Sequence, residues 1–295
     1  MEVKDFGQVI TAMVTPFKDD FSVDYDQAAK FANYLVENGS DGGVVAGSTG
    51  EAATMSQEER LKLFAAVLEA VGKKAYVIAN TGTNNTAESI EFSKKTEKLG
   101  VHGIMLVGPY YNKPPQEGFY QHFKAIAESV ETPVIIYNVP GRTASNILPA
   151  TLARLTKIKN IKAVKESSGN LEQISEVRKL TPPEFLIYSG DDALTLPILS
   201  VGGAGIISVA SNADGKEIKE MITAYFAGDV KKAAALQAKL LPFFKAIFMT
   251  TNPIPIKEAV NLIGQKAGPA RLPLVPMTDA EKEALKKVMQ ELGMI

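Results

Sequence analysis

The sequence predicts an α/β fold, a (β/α)8 barrel with a C-terminal helical appendage. Three observations predict it. Short runs rich in Val and Ile recur eight times, and a helical pattern follows each one. The runs are near-continuously apolar, as parallel strands covered on both faces are. The chain has 295 residues, more than the ~250 of a typical barrel, which leaves room for an extension. An open doubly wound sheet is the competing architecture, but it normally has a Gly-rich first turn. Here the first turn reads Thr15-Pro16-Phe17.

The β-type runs fall at 9–14, 43–46, 75–79, 103–107, 134–137, 161–165, 185–188 and 205–209. After the second run, Ser56 and Glu59 predict a capping box, with Leu61, Phe64, Ala65 and Leu68 as the expected buried face of that helix. Beyond the eighth unit, Asp229, Asn252 and Thr278 are expected N-caps of further helices, with Pro253 suited to the first helical position. The last helix reads Thr278-x-x-Glu281, then Leu285, Val288, Met289 and Leu292. Three prolines stiffen the connector 268–276 before it. The expected division is a barrel over 1–228 and a helical region over 229–295.

Composition excludes several function classes. Lys plus Arg is 32 against 33 for Asp plus Glu, a net charge of -1 without a basic stripe, so nucleic acid is not the expected partner. With no Cys there is no disulfide, thiolate metal site or cysteine nucleophile. The N-terminal stretch carries Glu2 and Asp5 and no basic segment, unlike a signal peptide. No run approaches the ~18 apolar residues of a membrane span. A cytoplasmic location is therefore expected.

Barrels of this kind carry their chemistry at the C-terminal ends of the strands. In the sixth run Ile161, Ala163 and Lys165 share one face. If that face is the interior, desolvation lowers the Lys165 pKa and frees a nucleophilic amine for Schiff-base chemistry. The bland alternative is an outward lysine, or one paired with Glu166. Tyr137 ends the neighbouring fifth run, where a phenol could move protons or simply sit in the core. Arg142 follows a Pro-Gly turn at the same rim, and its planar fork suits a carboxylate. Gly47-Ser48-Thr49-Gly50-Glu51 after the second run is either an anion-binding loop or an ordinary one. Tyr110 and Tyr111 stand on a loop stiffened by Pro109, Pro114 and Pro115, suggesting an interface or a lid. A metal site is not expected. His102 and His122 are isolated, and of Asp191 and Asp192 one is expected to cap a helix.

Taken together and in order, these fragments resemble the dihydrodipicolinate synthase family. The motifs that carry the resemblance are Gly47-Ser48-Thr49-Gly50-Glu51, Pro109-Tyr110-Tyr111-Asn112-Lys113-Pro114, Tyr137-Asn138-Val139-Pro140-Gly141-Arg142-Thr143 and Val164-Lys165-Glu166-Ser167-Ser168-Gly169-Asn170. Tyr188-Ser189-Gly190-Asp191-Asp192 and Gly205-Ile206-Ile207-Ser208-Val209 follow. The resemblance spans essentially the whole chain. It implies that Lys165 forms an imine with pyruvate, whose enamine attacks L-aspartate 4-semialdehyde, with no cofactor. It implies a proton relay of Tyr137, Ser48 and Tyr111, the last reaching into a neighbouring subunit of a homotetramer built as two tight dimers. Thr49 and its loop amides would hold the pyruvate carboxylate and Arg142 that of the semialdehyde, while Gly190 and Ile207 would line the site. Ser48 departs from the family's usual Thr. Gly-Ser-Thr-Gly-Glu also occurs in N-acetylneuraminate lyases and 2-keto-3-deoxygluconate aldolases, which remain alternatives, as does a pyruvate-binding barrel without turnover. Pro140-Gly141-Arg142-Thr143 and Tyr110-Tyr111-Asn112 favour the synthase. Asn84, Glu88 and Tyr110 match a lysine-effector pocket of the family, whereas Gln57 and Arg60 stand where lysine-sensitive members have His. Weak inhibition by lysine is the expectation.

Overall fold

The computed structural model describes residues 5–295. Among these residues eight strands, β1 (Val9–Ala12), β2 (Gly42–Val45), β3 (Tyr76–Asn80), β4 (Gly103–Val107), β5 (Val134–Asn138), β6 (Ile161–Glu166), β7 (Leu186–Ser189) and β8 (Gly205–Ser208), close a barrel in sequence order. The predicted α/β barrel is the observed fold. Helices α1 (Tyr25–Glu37), α2 (Gln57–Val71), α3 (Thr86–Glu97) and α4 (Gln116–Ala127) follow the first four strands. The short α5 (Pro140–Thr143) and α6 (Pro149–Leu155) follow β5, and α7 (Leu171–Leu180), α8 (Thr195–Ser200) and α9 (Ser211–Phe226) follow the last three strands. Then come α10 (Val230–Ala246), α11 (Ile254–Leu262) and α12 (Asp279–Glu291).

Packing density divides the chain into two units. One comprises 5–6 and 78–207, the other 7–77 and 208–295. In the first unit the ladder from β4 to β7 is parallel throughout, and Tyr137 of β5 lies opposite Lys165 of β6, which lies opposite Tyr188 of β7. The strands are almost entirely buried, with Lys162 the exposed exception in β6. Asn170 caps α7 by accepting from Gln173 N at 3.0 Å.

In the second unit β1 pairs with β2. The first strand stops at Ala12, two residues short of the expected end at 14. Met13 N–H still donates to Val44 O at 3.1 Å, and the next N–H, that of Val14, turns to Asn212 Oδ1 at 3.0 Å. The Ser56–Glu59 capping box forms, with bonds of 3.1 and 2.9 Å. The buried face of α2 differs from the expected one. Arg60, Leu63, Phe64, Val67 and Val71 are buried, whereas Leu61 and Leu68 are only half-buried and Ala65 is exposed. The helix carries two overlapping apolar stripes, and packing against α1 selects the one through Leu63 and Val67.

The C-terminal helices bear out two of the three expected caps. Asp229 accepts from Lys232 N at 3.0 Å, and Thr278 with Glu281 forms a second capping box. Asn252 does not cap α11. Its amide donates instead to Thr49 Oγ1 at 3.0 Å, and Pro253 occupies the cap position rather than the first helical one. Lys257 of α11 is fully enclosed and makes an ion pair of 2.8 Å with Glu51, which is equally enclosed. Its ammonium also donates to Thr15 O at 3.1 Å and Pro269 O at 2.6 Å, while Arg271 N donates to the other Glu51 oxygen at 2.8 Å. The buried pair is thereby satisfied by the loops that follow β1 and β2 together with the connector between α11 and α12.

Breaking this pair from one side strands a charge. Lys257→Met should cost about 3–5 kcal/mol in urea unfolding, and Glu51→Gln added to it should recover part of the loss. Equal midpoints for the wild type and Lys257→Met would show that the pair contributes nothing.

Candidate active site

Lys165 is the fifth of six residues of β6 and sits at its C-terminal end. Strand alternation turns it to the opposite side from Glu166. Glu166 is fully engaged elsewhere: its carboxylate accepts from Asn138 Nδ2 at 3.2 and 3.1 Å and from Ser168 N at 2.7 Å. Burial raises the Glu166 pKa, and those hydrogen bonds oppose the rise. Asn138 Nδ2 also donates to Asn146 Oδ1 at 2.8 Å, and Asn146 Nδ2 to Gln173 Oε1 at 2.7 Å. This chain of amides ties the ends of β5 and β6 to α7. The alternative that Lys165 pairs with Glu166 is therefore not realised.

Lys165 is 5% exposed. Burial lowers its pKa to about 8; the Asp192 carboxylate opposes this and the Arg142 guanidinium adds to it. An amine with a pKa of about 8 is neutral at pH 7 roughly 300-fold more often than one at the ordinary 10.5. The Lys165 ammonium lies over the Tyr137 ring, 4.4 Å from its centroid. Tyr137 is itself buried, and burial raises its phenol pKa, while Arg142 and the Ser167 hydroxyl pull it down and Glu166 pushes it up. A desolvated amine, a phenol and a guanidinium thus meet at two adjacent strand ends.

Gly190, after β7, is a glycine for steric reasons. A Cβ there would lie 2.0 Å from Ser167 Oγ and 2.9 Å from Lys165 Cε. Ile207, in β8, is fully buried. Arg142 lies on α5 with its side chain exposed. Tyr111 is 89% exposed and has φ 71°, a left-handed conformation rare outside glycine, on a loop where Lys113 has φ 44°. Asn84 Nδ2 donates to Tyr110 O at 3.1 Å and Asn112 Nδ2 to Asn84 O at 2.9 Å, so Asn84 holds the tyrosine loop. Glu88 is exposed on α3.

In the other unit, Ser48 is exposed and Thr49 buried in the loop after β2. Glu51 has φ 55°, and Gly50 packs so tightly that a Cβ would sit 3.0 Å from Ala46 Cα. Arg60 is buried on α2, on which Gln57 is the first residue.

Lys165, Tyr137, Arg142 and Gly190 lie together in one unit. Two residues beside them, Asp192 and Ser167, have no role at this site in the sequence reading. Asp192 is buried and acts on the Lys165 charge, while Asp191 is the cap, accepting from Ala193 N at 2.9 Å. The doubled acid was visible, but not which of the two turns inward. In the other unit Asn252, expected as a helix cap, holds Thr49 from 203 residues away, a contact that no local pattern signals. Ser167 lies inside a motif but had no role assigned. Among the described residues no group of three or more His, Asp or Glu is placed to hold a metal ion.

Residues 5–292 match the model of the Dihydrodipicolinate synthetase family. The chain belongs to that family. It is 54% identical over 290 residues to the 4-hydroxy-tetrahydrodipicolinate synthase of Heliobacterium modesticaldum, covering 98% of this chain and 97% of that one. It is also 54% identical over 296 residues to the enzyme of the same name from Desulforamulus reducens, covering all of both. Among solved structures, the dihydrodipicolinate synthase of Bacillus anthracis superposes with a TM-score of 0.95 at 48% identity over 97% of this chain and 98% of its own. The Cyanidioschyzon merolae synthase, solved with lysine bound, superposes at 0.97 with 47% identity over 98% and 99%. Like these dihydrodipicolinate synthetase relatives, the chain is an enzyme of the lyase type.

The packing at Gly190 gives a direct test. Gly190→Ala should cost about 1–3 kcal/mol of stability through overpacking but slow borohydride-trapped capture of a small 2-oxo acid by about 100-fold, because the amine is displaced. Capture at the normal rate would show that Lys165 does not depend on this gap.

Proposed function

We propose that the chain is a 4-hydroxy-tetrahydrodipicolinate synthase that condenses pyruvate with L-aspartate 4-semialdehyde for lysine and diaminopimelate biosynthesis. We place it in the cytoplasm as a homotetramer of two tight dimers. No helix among the described residues is long and apolar enough to cross a membrane. The observation that carries the reading is the buried Lys165 amine, drawn toward neutrality and seated over Tyr137.

Lys165 Nζ adds to the keto carbon of pyruvate, giving a carbinolamine. Loss of water, with a proton supplied by Tyr137, leaves a protonated imine. That imine is an electron sink, so the pyruvate methyl gives up a proton and becomes an enamine carbon nucleophile. The enamine attacks the semialdehyde carbonyl carbon. The amine of that substrate then closes the ring and displaces Lys165. Arg142, exposed at the end of β5 beside the amine and the phenol, is the fork for the semialdehyde carboxylate. Thr49 and its loop amides take the pyruvate carboxylate, and Ser48 and Tyr111 complete the relay, roles that come from the family resemblance. Gly190 and Ile207 line the site in the same sense. Asn84, Glu88 and Tyr110 are the candidate contacts for a lysine effector. Weak inhibition is proposed because Gln57 and Arg60 stand where sensitive members carry His.

Pyruvate followed by borohydride should leave its adduct on Lys165, located by digestion and mass spectrometry. Only the neutral amine attacks, so the capture rate should climb with pH and level off above about 8. A rate still climbing toward 10 contradicts the desolvated amine, and an adduct elsewhere removes the mechanism. Turnover with aspartate semialdehyde but not N-acetylmannosamine separates the synthase from its aldolase relatives.

Arg142→Ala should lower the use of semialdehyde by about 10- to 150-fold, the worth of a hydrogen bond to a charged group, while pyruvate capture persists. Its capture profile should move to higher pH, since Arg142 lowers the Lys165 pKa. Normal handling of the semialdehyde would remove the main support for the synthase over its relatives.

Tyr111, 89% exposed on a strained loop, suits a partner's site. Lys165→Ala and Tyr111→Phe chains, each impaired alone, should form hybrid dimers with up to about half of wild-type activity, because one site is intact. Activity equal to the parental average would place Tyr111 in its own chain's site.

A further inference from the structure

Ser167 follows the end of β6, and its N–H donates to Asn138 O at 2.9 Å, so the ladder to β5 continues through it. Alternation therefore turns Ser167 to the same side as Lys165, with Glu166 on the other. Its Oγ is enclosed and makes no hydrogen bond within the protein. The neighbouring acceptors do not saturate it: Glu166 is taken up by Asn138 and Ser168, and the Tyr137 phenol, close enough for the Ser167 hydroxyl to draw it toward its ionised form, does not meet it at good hydrogen-bonding geometry. An enclosed hydroxyl without a partner is destabilising, and an arriving ligand oxygen would remove that penalty.

The place of this hydroxyl says which oxygen. A Cβ on Gly190 would lie 2.0 Å from Ser167 Oγ and 2.9 Å from Lys165 Cε. The hydroxyl is therefore within about 5 Å of the carbon that bears the amine, and the missing side chain of Gly190 leaves the gap between them open. A group one bond beyond Nζ comes within its reach.

We propose that Ser167 is a further catalytic residue of this site, its hydroxyl donating a hydrogen bond to the carbinolamine oxygen formed when Lys165 adds to a 2-oxo acid. The inference rests on Lys165 being the imine-forming amine. On addition the Nζ–C bond forms, the carbonyl π pair moves to oxygen, and a proton passes from nitrogen to oxygen. On dehydration the C–O bond breaks, a proton from the Tyr137 phenol leaves with the hydroxyl as water, and the nitrogen lone pair closes the C=N bond. The products are a protonated imine, a phenolate and water. Ser167 holds the oxygen as it gains and then loses its bond to carbon, while Tyr137 supplies the proton. Once water has left, Ser167 has no further contact with the imine, so it acts on the rate of formation and not on its extent.

The experiment is a time course of pyruvate capture quenched with borohydride, in the wild type, Ser167→Ala and Ser167→Gly, each checked for folding by thermal unfolding. Both variants should reach the wild-type extent of Lys165 adduct about 10-fold more slowly. Exchange of the pyruvate keto oxygen with labelled water passes through the same carbinolamine and should slow equally, with the pH profile of capture still levelling near 8. Selectivity for the semialdehyde should not change. If the variants capture at the wild-type rate, or lose extent instead of rate, or lose semialdehyde selectivity with normal oxygen exchange, the inference is wrong. No Lys165 adduct in the wild type would instead overturn the reading of Lys165 itself.

Discussion

The chemistry of this molecule depends on the desolvation of one amine. Lys165 stands at the end of a strand whose inward neighbours are apolar, and the removal of water is the largest influence on its charge. The two charges nearby work in opposite directions, Asp192 favouring the ammonium and Arg142 the free amine. The outcome is an amine that titrates near neutrality without being neutral at all times. A group in that range is a nucleophile at working pH and can still be reprotonated when it leaves.

That balance requires the lysine to be held away from the one carboxylate next to it in sequence. Glu166 would hold Lys165 as an ammonium if the two met. The amide chain from Asn138 through Asn146 to Gln173 prevents this by engaging the carboxylate on the far side of the strand. Alternation in β6 and these hydrogen bonds act together. Gly190 completes the arrangement by leaving space beside the lysine stem.

In the other unit the loop after β2 is fixed from the C-terminal helices. The Glu51–Lys257 pair is costly to bury, and it is matched by backbone acceptors from Thr15 and Pro269 and by the Arg271 N–H. Arg271 further joins Glu59 at 2.6 Å and Thr54 O at 2.8 Å. Asn252 holds the Thr49 hydroxyl. The appendage thus serves the loop that carries the candidate anion-binding residues, which is a stronger reason for its presence than added bulk.

By itself the sequence determined the barrel, because eight apolar runs with intervening helical periodicity leave few other ways to bury both faces of each strand. It also determined Lys165 and Tyr137 as strand-end residues on adjacent strands, since run length and alternation are local properties. The caps at Ser56, Asp229 and Thr278 were legible for the same reason. Only the tertiary structure decided which stripe of α2 is buried, because the helix carries two overlapping apolar stripes and burial takes the one that also includes Arg60. It alone turned Asn252 from a cap into a support for Thr49, turned Asp192 inward beside Lys165 and enclosed the Ser167 hydroxyl. Each of these depends on contacts between segments distant in sequence, and polar side chains choose partners by proximity in space, which local periodicity does not encode.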